Sequence, residues 1–133
     1  ESGRRARRVY ESMRAALDKG IRATNHTDYP VTAIDPMFTV WSAVNRVSRS
    51  GEVIGPEQRI SAFEALQAIT INAAHQYFEE HSKGSLAVGK RADLVVLDRN
   101  PLKVDGADLR DIRVLLTLKD GEEVYRSSFE DGF

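Results

Sequence analysis

Apolar residues recur at Val9, Met13, Ala16 and Leu17 within residues 5–19, a spacing that lays one stripe along an α-helix. Gly20 follows, where a left-handed C-cap is usual. Residues 21–25 read as a short strand ending near Asn25, with a loop through His26, Thr27, Asp28, Tyr29 and Pro30. Met37, Val40, Trp41 and Val44 form a second helical stripe over 37–47, and Pro36 stands in the first turn, where its missing N–H costs nothing. Trp41 falls on that stripe and reads as core. Residues 48–59 are loop. Ser61 and Glu64 then make a capping box that opens a helix running to about Tyr77. That helix is apolar on most sides (Phe63, Leu66, Ile69, Ile71, Ala73, Ala74) and is expected to be largely buried. The run over 93–97 reads as a strand buried on both faces. Pro101 breaks regular structure, and a polar connection runs to Asp111. Residues 112–118 and 122–126 then flank Asp120-Gly121, a strong hairpin turn signal.

The order helix, strand, two helices, strands makes this an α/β chain. Its 133 residues are 41% hydrophobic and 29% charged, enough for a core of ordinary globular kind. A net charge of −1 gives no global field favouring nucleic acid or anionic lipid. The cluster Arg4, Arg5, Arg7 and Arg8 reads as a solvated helix face, and no aromatic–basic interleaving follows it. Without cysteine there is no disulfide, thiolate nucleophile or cysteine metal site, which fits a cytoplasmic protein. No stretch of eighteen apolar residues occurs, so no helical membrane span is expected. The chain starts at Glu1 with neither an initiator Met nor an apolar leader, and it reads as part of a longer protein.

Three segments carry a family resemblance. Residues 84–98, Gly-Ser-Leu-Ala-Val-Gly-Lys-Arg-Ala-Asp-Leu-Val-Val-Leu-Asp, resemble a signature near the C-terminus of the amidohydrolase superfamily, where the chain leaves the catalytic barrel for a small β-sandwich. Residues 26–31, His-Thr-Asp-Tyr-Pro-Val, resemble the motif ending the eighth barrel strand in the formamide-deformylase-like branch. Ala-Val-Asn-Arg at 43–46 and Leu-Gln-Ala-Ile-Thr-Ile-Asn-Ala-Ala at 66–74 resemble the same branch. Together they cover about Arg7 to Arg126. The fold implied is the C-terminal end of a metal-dependent (β/α)8 barrel over 1–82, followed over 83–133 by strands of the composite β-sandwich.

The resemblance also implies chemistry: hydrolysis of a non-peptide carbon–nitrogen bond of the amide type, in a small-molecule substrate, by metal-activated water. Asp28 is implied as both metal ligand and catalytic carboxylate, taking a proton from water and passing it to the leaving nitrogen. A divalent cation brings the pKa of bound water towards about 7, within reach of a nearby carboxylate. From spacing alone, Asp28 reads first as a turn cap. His26, two residues earlier and on the same face of the expected strand, and Tyr29 are candidate substrate contacts. His75 and His81 read as packing or surface residues. Lys90 and Arg91 read as a turn and solvent face, with Asp93 anchoring that preceding turn. The three histidines form no His-x-His or His-x-x-x-His, so the other ligands of the metal, zinc before others, are expected elsewhere in the intact enzyme. This segment by itself is expected to hold no metal and to be inactive. The alternative is a non-catalytic regulatory or interaction protein that keeps this part of the fold. Sheet edges separated from their partners imply a homo-oligomer.

Overall fold

The computed structural model describes residues 12–128; the arginine cluster and Val9 lie outside them. Helix α1, Met13–Asp18, ends where the sequence indicates. Gly20 adopts φ +72°, its N–H reaches the Leu17 carbonyl at 2.9 Å, and the Ile21 N–H reaches the Ala16 carbonyl at 3.0 Å. This paired closure satisfies the last carbonyls of the helix and needs a left-handed residue at that point.

Helix α2, Pro36–Asn45, is the centre of the molecule. Asp35 caps it by accepting the Phe38 N–H at 3.0 Å, and Arg46 closes it in the left-handed region. Met37, Val40, Trp41 and Ala43 are buried and join Ile60, Ala65, Leu109 and Ile112 in one core. Leu109 belongs to a 3-10 turn, Gly106–Asp111, inside what the sequence marks only as a polar connection. Asn45 ties that turn to α2, donating to the carbonyls of Gly106 (2.7 Å) and Trp41 (2.9 Å). The Trp41 indole N–H donates to the Ala107 carbonyl at 3.1 Å, and the Arg110 guanidinium lies 4.9 Å from the indole ring. Trp41 is core, as its stripe indicates.

The helix expected from 61 to 77 is two helices. The capping box is present, with Ser61 and Glu64 bonded reciprocally, and opens α3, Ala62–Ile69. The chain then breaks at Thr70 (φ −123°, ψ −94°), and α4 runs Ile71–Gln76. The Thr70 hydroxyl donates to the Leu66 carbonyl at 2.7 Å, a back-bond that competes with helical pairing and bends helices. Burial is also less than expected: in these helices Ala65, Ala68, Asn72 and Ala74 are buried, while Phe63 is 56% exposed.

Strands β1 (Leu94–Leu97), β2 (Val114–Lys119) and β3 (Glu122–Arg126) form an antiparallel meander in that order. The turn at Asp120-Gly121 has both residues at positive φ, +51° and +83°, the geometry a two-residue hairpin requires. Strand β1 is not buried on both faces: Val95 and Val96 are 56% and 46% exposed. It is an edge strand, and of its residues Leu97 packs against the core. Residues 21–27 correct a second expectation. They form no strand, because no strand among the described residues lies beside them to complete a ladder. The described residues thus form a mixed α/β arrangement with one small antiparallel sheet.

Candidate functional site

Lacking a ladder, the segment ahead of Asp28 is held by hydrogen bonds from the helices. The Asn72 side-chain amide donates to the Ala23 carbonyl at 3.0 Å. The Asn25 N–H reaches the Ala68 carbonyl, and its side-chain amide reaches the Thr39 carbonyl, both at 3.4 Å. Beyond Asn25 the contacts become local. The Asn25 Oδ1 accepts the His26 N–H, and the His26 Nδ1 accepts the Asp28 N–H, both at 3.0 Å. The Val31 N–H donates to the Asp28 carbonyl at 2.7 Å, and the Thr32 hydroxyl donates to the Thr27 carbonyl.

Asp28 therefore stands on a tight turn at φ +52°, exposed, with no hydrogen bond or ion pair to its carboxylate among the described residues. None of these bonds uses the Asp28 carboxylate, so the capping role that spacing suggests is not what it does. His26 does not share a strand face with Asp28. An acceptor Nδ1 directed at the Asp28 amide leaves its ring proton on Nε2. A broad cleft reaches this segment, lined among others by Asn25, His26, Asp28, Phe38, Trp41 and Arg110. Tyr29 is 67% exposed and is not among the residues lining that cleft.

Among the described residues no group of three or more His, Asp or Glu side chains could hold a metal ion. The unpartnered Asp28 carboxylate fits one ligand of a centre, and nothing placed here supplies the rest of a coordination shell. His75 pairs with Glu80 at 2.7 Å, holding the Glu80 carboxyl below its ordinary range, and His81 is exposed.

The signature over 84–98 is structural here, in a way the sequence reading misplaces. Lys90 is not a solvent-facing turn residue: its Nζ donates to the carbonyls of Glu80 and Lys83 and to the Ser85 hydroxyl, gripping the segment before it. Asp93 anchors not the preceding turn but the β2–β3 turn, accepting the Asp120 N–H at 2.9 Å and the Lys119 ammonium. Sequence reasoning passed over Asn25 and Asn72 as individuals. The signal was present in Asn72, a polar residue inside the apolar run Ile71-Asn-Ala-Ala74, which must find a partner if buried.

With this geometry in view, the similarities are informative. The amidohydrolase family profile matches residues 2–125. The chain is 38% identical over 109 residues to an N-substituted formamide deformylase of Arthrobacter pascens, covering 82% of this chain and 20% of that protein. It is 29% identical over 120 residues to the putative amidohydrolase YtcJ of Bacillus subtilis, covering 88% of this chain and 23% of that protein. It thus spans about a fifth of the length of these relatives. An amidohydrolase from Thermotoga maritima shares the fold over 88% of this chain and 26% of its own, with a TM-score of 0.67 at 23% identity. A match over nearly all of the sequence, supported by relatives and by fold, establishes that the chain belongs to the amidohydrolase family.

Proposed function

We propose that this chain is the C-terminal part of a hydrolase cleaving a non-peptide carbon–nitrogen bond of the amide type. In this reading residues 1–82 complete a catalytic (β/α)8 barrel and residues 83–133 join a composite β-sandwich. The likeness to the formamide deformylase supports an N-substituted formamide or a related small amide as substrate. The observation that carries the proposal is the exposed Asp28 carboxylate, unpartnered among the described residues and set on a turn that hydrogen bonds fix from both sides.

Asp28 is the one ligand this chain would give to a divalent metal, zinc before others; when bound, that ion polarises the scissile carbonyl and acidifies water. The Asp28 carboxylate accepts a proton from the attacking water and delivers it to the departing nitrogen. In this reading His26, which lines the cleft with Nε2 available, and the exposed Tyr29, beside it but not lining that cleft, contact substrate. The described residues by themselves hold too few ligands for a catalytic centre, and in this reading the chain alone is inactive. The same reading places the protein in the cytoplasm.

In the complete protein, Asp28→Asn is expected to lower turnover of an N-alkylformamide by about 10²- to 10⁴-fold, as loss of a general base does, with the thermal midpoint unchanged. Turnover at the wild-type rate would remove Asp28 from the mechanism. A second reading is a regulatory protein without catalysis: Protein LONG AFTER FAR-RED 3 of Arabidopsis thaliana, whose name states no hydrolytic activity, is 37% identical over 100 residues, covering 74% of this chain and 17% of that one. Absence of hydrolysis by the zinc-loaded complete protein, across formamides and other small amides, would select it.

A further inference from the structure

We infer that Asn72 is a positioning residue for Asp28, acting through the Ala23 carbonyl on the segment that leads to the carboxylate. The inference rests on the catalytic reading of Asp28 given above and assigns the residue that sets its reach.

Asn72 is a polar side chain with 9% of its surface exposed, standing in the first turn of α4. A buried amide is retained only where it has hydrogen-bond partners, and leaving its partner unmade costs more than the bond itself is worth. The partner of Asn72 is the main chain at Ala23, at 3.0 Å, 49 residues earlier in sequence.

In the complete barrel proposed above, flanking strands would fix that segment sideways, and its height above the helices would rest on the contacts that reach it from them. Asn72 provides the shortest of them; the two through Asn25 are both 3.4 Å long. From Asn25 onward, consecutive hydrogen bonds link Asn25 to His26 and His26 to Asp28, so a displacement at Ala23 passes along a short, closely linked stretch to the carboxylate. The break at Thr70 gives α4 a start and a direction separate from those of α3. Gly84 packs against that break: a Cβ there would lie 2.7 Å from the Ala74 Cβ and 3.0 Å from the Ile71 Cα.

The test uses the complete protein, an N-alkylformamide as substrate, and Asn72→Asp, which keeps the shape of the side chain but, when ionised, has no proton to donate. Hydrogen–deuterium exchange is followed on peptides spanning 23–31. Exchange in those peptides should rise while the hairpin peptides over 114–126 stay as in wild type. Because a misplacement of about 1 Å can cost on the order of 100-fold, kcat is expected to fall about 10- to 100-fold with KM within about threefold of wild type. Asn72→Gln, which keeps a donor, should recover part of the loss. Should Asn72→Asp not fold, Asn25→Asp removes another tether and carries the same expectations. Unchanged exchange, or raised exchange with kcat intact, in an enzyme that Asp28→Asn inactivates overturns the positioning role and leaves the function standing. Full activity of Asp28→Asn instead overturns the reading beneath it, and the positioning role falls with it.

Discussion

Most carboxylates among the described residues face hydrogen-bond donors, and that decides how the chain should respond to acid. Glu64 sits below its ordinary carboxyl range, first because it accepts the Ser61 N–H and then because the Arg14 guanidinium lies 2.7 Å away. Asp93 is lowered first by the Asp120 N–H and then by the Lys119 ammonium, and Glu80 first by its hydrogen bond to His75. A carboxylate whose folded pKa is depressed stabilises the fold above its unfolded value, near 4, and loses that contribution as pH falls through the folded value. The urea midpoint of the chain is therefore expected to hold between about pH 7 and 5 and to fall below about pH 4. A midpoint unchanged down to pH 3 would refute the assignment. Asp28 differs from these acids in having no donor around its carboxylate among the described residues.

Among the elements, the α3–α4 break is the joint on which the rest of the region depends. Three features converge there: the back-bond of Thr70, the first turn of α4 carrying Asn72, and the segment after α4 lying against Ala74 at Gly84. Gly84 has φ +87° and no room for a side chain, so Gly84→Ala meets both backbone strain and a clash with Ala74. The variant is expected to lose about 1–3 kcal/mol in urea unfolding, and to loosen the grip of Lys90 on the Glu80 and Lys83 carbonyls. Stability equal to wild type would show that the segment has another resting place. Local devices elsewhere were readable in the sequence because their physics spans a few residues. The capping box at Ser61, the proline opening α2, the glycine closing α1 and the Asp120-Gly121 turn all stand where the sequence puts them. The break at Thr70 was not readable, because the apolar periodicity of 61–77 runs through it without interruption.

Among the described residues the sheet has two unpaired edges, β1 and β3, and exposed apolar side chains at Val95, Val96, Val124 and Tyr125. Open edges with apolar neighbours pair with other strands when they can. The isolated 133-residue chain is accordingly expected to run as a dimer or larger species in light scattering, with association weakening on dilution. A monomer at high micromolar concentration with a well-dispersed NMR spectrum would count against this.

The sequence by itself determined the family, the order of the elements and the local stops and caps, because these rest on motif residues and on forces acting within one or two turns. It also marked Asp28 for attention. Tertiary structure decided the rest. Residues 21–27 form no strand, since a ladder needs a neighbour the described residues do not provide. Val95 and Val96 are half exposed, since burial depends on a second layer and not on hydrophobicity. Lys90, Asp93 and Asn72 act on main-chain atoms far from them in sequence, and no spacing rule encodes which distant carbonyl or amide a folded chain brings within 3 Å.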